Sequence, residues 1–118
     1  MSKTVLVVDD EMLICLDIQM QLDALGHRTL VASTYADAVR IVETGAVDIV
    51  VLDWHLSNRS ADALATLLRQ KGIPFILCSG STREELAEVF PDIPLVTKPF
   101  MTEQLVAALD VAAAGAPS

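Results

Sequence analysis

The sequence predicts an α/β domain, a five-stranded parallel sheet flanked by five helices, and three observations carry that reading. Short β-branched apolar runs alternate with longer segments of helical period along the whole chain. Three of those runs are nearly continuous in apolar residues, as strands covered on both faces must be. Gly26, Gly45 and Gly72 each follow a helical stripe and precede a strand, where a helix-terminating glycine can take positive φ.

The elements follow in order. Thr4–Val8 is the first strand candidate, and Ile14, Ile18, Leu22 and Leu25 then line one helical face. Thr29–Ala32 is the second strand, followed by a stripe of Tyr35, Ala38, Val39 and Val42. Thr34 with Asp37 has capping-box spacing at the start of that helix, with Asp in place of Glu. Asp48–Leu52 is the third strand, and Leu64, Leu67 and Leu68 mark the third helix. Phe75–Cys78 is the fourth strand, with a short helix over Arg83–Val89 capped by Thr82 and Glu85. Leu95–Thr97 is the fifth strand, and Leu105, Ala108, Leu109 and Ala112 stripe the last helix. Right-handed crossovers leave few topologies for such a chain, and the flavodoxin-like order 2-1-3-4-5 leads them.

Composition bounds the function. The 118 residues read as one domain, 1–118, with no linker or low-complexity segment. Sixteen acids against eight Lys and Arg give a net charge of -8, which leaves no large positive footprint for direct nucleic-acid binding. Cys15 and Cys78 have no metal-ligand spacing and read as buried thiols. Asp9, Asp10 and Glu11 end the first apolar run too early for a secretory signal, and no uncharged stretch is long enough to cross a membrane. The expected location is the cytoplasm. Met12, Met20 and Met101 read most simply as core or near-core residues, together with the Ile14–Leu25 stripe.

In an open α/β sheet, ligands bind beyond the carboxyl ends of the strands. Those ends carry Asp9 and Asp10, Asp53, Ser79 and Lys98. In the 2-1-3-4-5 order the first and third strands are neighbours, so three carboxylates converge beside a hydroxyl and an ammonium. Two like charges about 4 Å apart repel by roughly 4 kcal/mol at an effective dielectric near 20. Either a hard divalent cation or protonation relieves this. Mg²⁺ suits one or two carboxylates completed by waters and phosphate oxygens. A carboxylate can also act as a nucleophile and form an acyl phosphate. N-capping explains one acid of the first cluster, but not Asp53 and Lys98 as well.

With Val7-Val8-Asp9-Asp10-Glu11, Val51-Leu52-Asp53, Ser79 and Lys98-Pro99-Phe100 in order at strand ends, the whole chain resembles a response-regulator receiver domain (CheY-like) of bacterial two-component signalling. The resemblance implies that Asp53 is the phosphoacceptor, taking a phosphoryl group from a phosphohistidine donor. It implies Asp10 as a direct Mg²⁺ ligand, Asp9 as an acid reaching the ion through water, and His55 as the donor of a backbone carbonyl. Ser79 matches the hydroxyl that follows the phosphoryl group, Lys98 the lysine that pairs with it, and Lys98-Pro99 a cis bond. His55 and Ser81 are candidates for tuning acyl-phosphate lifetime.

The sequence departs from the family pattern at Ser57, Ala61 and Leu95. Leu95 stands at the switch position where many receivers carry an aromatic residue, and it supplies neither hydroxyl nor ring. The implied partners are a histidine kinase or histidine phosphotransfer protein and a downstream protein target. A homodimer through the face of the fourth predicted helix, fifth strand and last helix is also implied. Such a chain is a signalling phosphoacceptor rather than an enzyme. The alternatives are a phosphorylation-independent interaction domain and a phosphohydrolase using an aspartyl phosphate, which commonly needs an acid where this chain has His55. A dinucleotide site is excluded because no GxGxxG follows the first strand.

Overall fold

A computed structural model of the chain describes residues 3–9, 11–53, 60–79, 93, 95–97 and 102–114. The elements are β1 (Thr4–Val8), α1 (Met12–Ala24), β2 (Arg28–Ala32), α2 (Tyr35–Glu43), β3 (Ile49–Asp53), α3 (Ser60–Lys71), β4 (Phe75–Ser79), β5 (Leu95–Thr97) and a C-terminal helix, α4 (Thr102–Ala114). The five strands form one parallel sheet in the order β2-β1-β3-β4-β5, as the sequence predicts. Four helices lie among the described residues; the one expected over Arg83–Val89 falls outside them.

The central strands are apolar on both faces because each face packs against helices. Leu6, Val8, Val50, Leu52 and Leu77 turn toward Ala38 and Val42 of α2 and Leu64 and Leu68 of α3. Their alternate neighbours Val5, Val7, Ile49, Val51 and Ile76 turn toward Cys15, Ile18 and Leu22 of α1 and Leu105 and Leu109 of α4. Each such fully buried aliphatic side chain contributes about 1.5–3 kcal/mol. Both cysteine thiols are buried within the second of these layers, as expected.

Local signals set the helix boundaries. The Thr34 hydroxyl accepts from the Asp37 backbone N–H at 3.2 Å and so starts α2. The reciprocal half of the capping box is replaced: Asp37 Oδ1 instead accepts from Arg40 at 3.2 Å. Gly26 takes φ 89 after α1, where the His27 N–H closes back onto the Leu22 carbonyl at 3.1 Å. That turn needs a residue without a Cβ. The same closure follows α3, with Gly72 at φ 71 and Ile73 N–H on the Leu68 carbonyl.

Two expectations are corrected. β3 and β4 each run one residue further than expected, so that Asp53 and Ser79 are the last strand residues rather than the first after the strands. Register explains this, because Asp53 pairs with Cys78 and Ser79 with Thr97. In α1 the buried stripe is Cys15, Ile18 and Leu22; Met12, Met20 and Leu25 are exposed instead of core. At about 100° per residue, Leu13, Leu16 and Met20 fall on the side of the helix opposite that stripe. Leu13 is 82% exposed and Met20 71%. The helix is apolar on two sides, and only one of them fits against the sheet.

Candidate functional site

Parallel pairing of β1 with β3 matches Val8 to Leu52, so the next residue of each strand, Asp9 and Asp53, stand side by side at the sheet's carboxyl edge. Neighbouring strands lie about 4.8 Å apart. Asp9 is 2% exposed and Asp53 3%. Among the described residues these two are the only buried charged ones. Charged groups are almost never fully buried without compensation. Two of them placed together, at the topological switch point of an α/β sheet, mark a site.

Each acid is fixed by its own strand. The Asp9 backbone N–H donates to the Ala32 carbonyl at 3.1 Å and extends the β1–β2 ladder. Its Oδ1 accepts from the Glu11 backbone N–H at 2.9 Å, a local turn that carries the chain into α1. The Cys15 thiol donates to the Asp9 carbonyl at 3.3 Å, from one turn inside that helix. This Asx turn at Asp9 is not an N-cap bond, because it serves the N–H of the N-cap residue Glu11 rather than a first-turn N–H of the helix. The Glu11 side chain makes no cap bond of its own.

Of the other candidates, Ser79 closes β4 two strands from β1, and Leu95 opens β5. Asp10, His55, Ser81 and Lys98 lie outside the described residues, as do Trp54, Ser57 and Met101. Among the described residues no group of three Asp, Glu, His or Cys side chains is arranged around a metal position. A pair of buried carboxylates still suits Mg²⁺, which takes one or two such ligands and keeps several waters. Sequence reading missed the Cys15 contact with Asp9, and it missed the exposed stripe of α1. The i, i+3, i+7 spacing of Leu13, Leu16 and Met20 was the signal for the second.

The fold and the paired acids define a class, and the comparisons agree with it. The family model for the response regulator receiver domain matches residues 5–110, and the chain belongs to that family, the receivers of two-component signalling. It is 33% identical over 116 residues to the phosphate regulon transcriptional regulatory protein PhoB of Pseudomonas aeruginosa, covering 92% of this chain and 50% of that protein. It is 29% identical over 117 residues to the phyllosphere-induced regulator PhyR of Methylorubrum extorquens, covering 95% of this chain and 44% of that one. The chain thus spans half or less of these curated relatives. Among solved structures, a response regulator receiver protein from Sinorhizobium medicae superposes with a TM-score of 0.85 at 28% identity, over 97% of this chain and 96% of the other. SdrG from Sphingomonas melonis gives a TM-score of 0.81 at 28% identity, over 93% and 95%. No helix among the described residues is long and apolar enough to cross a membrane.

Proposed function

We propose that this chain is a phosphorylation-controlled signalling module in which Asp53 accepts a phosphoryl group from a phosphohistidine of a kinase or phosphotransfer protein. The observation that carries the reading is the burial of Asp9 and Asp53 side by side at the sheet's carboxyl edge. SdrG, similar in fold, has also been solved in a BeF3-activated conformation.

An Asp53 carboxylate oxygen would attack phosphorus in line, the bond from phosphorus to the donor imidazole nitrogen would break, and the imidazole would leave with its electron pair. Asp9 and Asp53, with Asp10 and the His55 carbonyl, would hold Mg²⁺, which when bound neutralises charge on the phosphoryl oxygens. Lys98 would add a second cation and Ser79 a hydroxyl. Asp9 is fixed by β1 on one side and by the Glu11 N–H and Cys15 thiol on the other, so it would orient the site without moving.

The donor needs a surface to sit on. The exposed Leu13, Leu16 and Met20 of α1 begin just past Asp9, and α1 carries Asp17 and Asp23 but no Lys or Arg. That stripe favours a donor helix with an apolar face and a basic border. With no residue capable of aromatic switching at Leu95, output would pass through the strand-four and strand-five ends to a protein target.

Intact-mass measurement tests the reading after incubation with Mg²⁺ and a small acyl-phosphate donor or a competent kinase. Wild type should gain one phosphoryl group, Asp53→Asn none, and Trp54 fluorescence should respond to Mg²⁺ alone. No mass gain and no Mg²⁺ response would leave an interaction domain that keeps the fold without the chemistry. Multiple turnover of a phosphate ester would make the chain a hydrolase.

A further inference from the structure

At the end of the sheet opposite Asp9 and Asp53, a cavity of about 310 Å³ opens between the α1–β2 turn and α4. Val5 and Ile49 of the sheet, Leu25 of the turn, and Val106 and Leu109 of α4 give it an apolar lining. Three polar residues complete the lining, and their chemistry differs. Lys3 supplies an ammonium, Asp110 a carboxylate and His27 an imidazole.

The state of His27 follows from its hydrogen bond. Its Nδ1 accepts from the Lys3 backbone N–H at 3.1 Å, which assigns the ring hydrogen to Nε2 and makes the imidazole a neutral donor. Neither the Lys3 ammonium nor the Asp110 carboxylate is in an ion pair among the described residues. Asp110 also stands toward the C-terminal end of α4, whose last turn carries no basic residue. A carboxylate there adds to the negative end of the helix dipole, so the position favours a cation. The lining therefore holds one residue that favours a positive group and two that favour a negative one.

We propose that this cavity binds a small zwitterion with a branched aliphatic or aromatic side chain, a free amino acid of the leucine or phenylalanine kind. Its ammonium would meet Asp110, its carboxylate Lys3 and the His27 Nε2–H, and its side chain the apolar lining. The volume lies at the small end of ligand pockets, which run from about 300 to 1,000 Å³. A purely anionic ligand would face Asp110 and a net charge of -8. A polyamine would face Lys3. Only a ligand with both charges answers both Lys3 and Asp110. The site is remote from Asp53 and owes nothing to the phosphoacceptor reading.

The test is methyl NMR on the full 118-residue chain, titrated separately with L-leucine, glycine and N-acetyl-leucinamide. L-Leucine should shift the methyls of Val5, Ile49, Leu25, Val106 and Leu109 saturably, with Kd of about 1 mM or below. Glycine should shift none of them. N-acetyl-leucinamide, which keeps the side chain and loses both charges, should bind at least about fivefold more weakly. Lys3→Met and Asp110→Asn should each weaken L-leucine by about fivefold. Asp53→Asn should leave the titration unchanged, which separates this site from the other. Absence of saturable shifts overturns the proposal, and so does equal binding of the neutral amide or by both charge variants. Shifts seen only after removal of residues 115–118 also overturn it, because the chain's own end then fills the cavity.

Discussion

Replacing Asp53 with Asn should make the protein more stable without metal and remove most of its response to Mg²⁺. The parallel register sets Asp9 beside Asp53 on adjacent strands, about 5 Å apart by strand spacing. Both are buried, at 2% and 3% exposure, so solvent screens them little. Two full charges at that distance repel by about 3 kcal/mol at an effective dielectric near 20. The contacts that Asp53 makes in the folded chain are weaker to an amide and offset about 1 kcal/mol of this, which leaves about 2 kcal/mol in favour of Asp53→Asn. For a domain of this size that is a rise in Tm of about 8 °C. Mg²⁺ at one hundred times its Kd should stabilise wild type by about 2.7 kcal/mol. The variant, with one carboxylate fewer, should gain little from the same concentration. Urea and thermal unfolding with EDTA and with Mg²⁺ measure all four values. An Asp53→Asn protein less stable than wild type in EDTA, or Mg²⁺ increments equal in the two proteins, would refute the reasoning.

The exposed stripe of α1 gives a second expectation. Leu13→Glu with Met20→Glu should slow phosphoryl transfer from a protein donor at least tenfold, about 1.4 kcal/mol, and leave a small acyl-phosphate donor unaffected. Both positions are solvent-exposed, so unfolding curves should match wild type; equal slowing with both donors would count against a docking role. Thr34→Ala removes the oxygen that accepts the Asp37 N–H and should cost about 1 kcal/mol in urea unfolding, whereas Thr34→Ser should cost a few tenths. His55 and Ser81 are the sequence-based candidates for tuning acyl-phosphate lifetime, and substituting each should change the rate at which the acyl phosphate is lost, followed by intact mass over time. Unchanged rates for both would remove them from any tuning role.

The sheet was legible because its signal is redundant. Apolar runs, their spacing and the glycines at Gly26 and Gly72 all place the strands, and the strand ends then place Asp9 and Asp53. Ends themselves were less legible: Asp53 and Ser79 continue the ladder because partners on the next strand are there to pair with them. Helix α1 shows a different limit. Periodicity identifies stripes, but α1 carries one on each side, and Ile18 and Leu22 belong to the buried stripe while Leu13 and Met20 do not. Which side is covered depends on the sheet, not on the helix. The Asp37 side chain was equally undecided by spacing, because Arg40 three residues on competes for the same oxygen.

The two-sided packing of β1 and β3 has a kinetic consequence for the acids at their ends. Val5 to Val8 and Ile49 to Leu52 alternate between two separate layers, so neither strand can shift without opening both at once. Their amide protons should exchange with solvent only through whole-molecule unfolding, among the slowest in the chain. Asp9 and Asp53 are thus mounted on the least yielding part of the molecule.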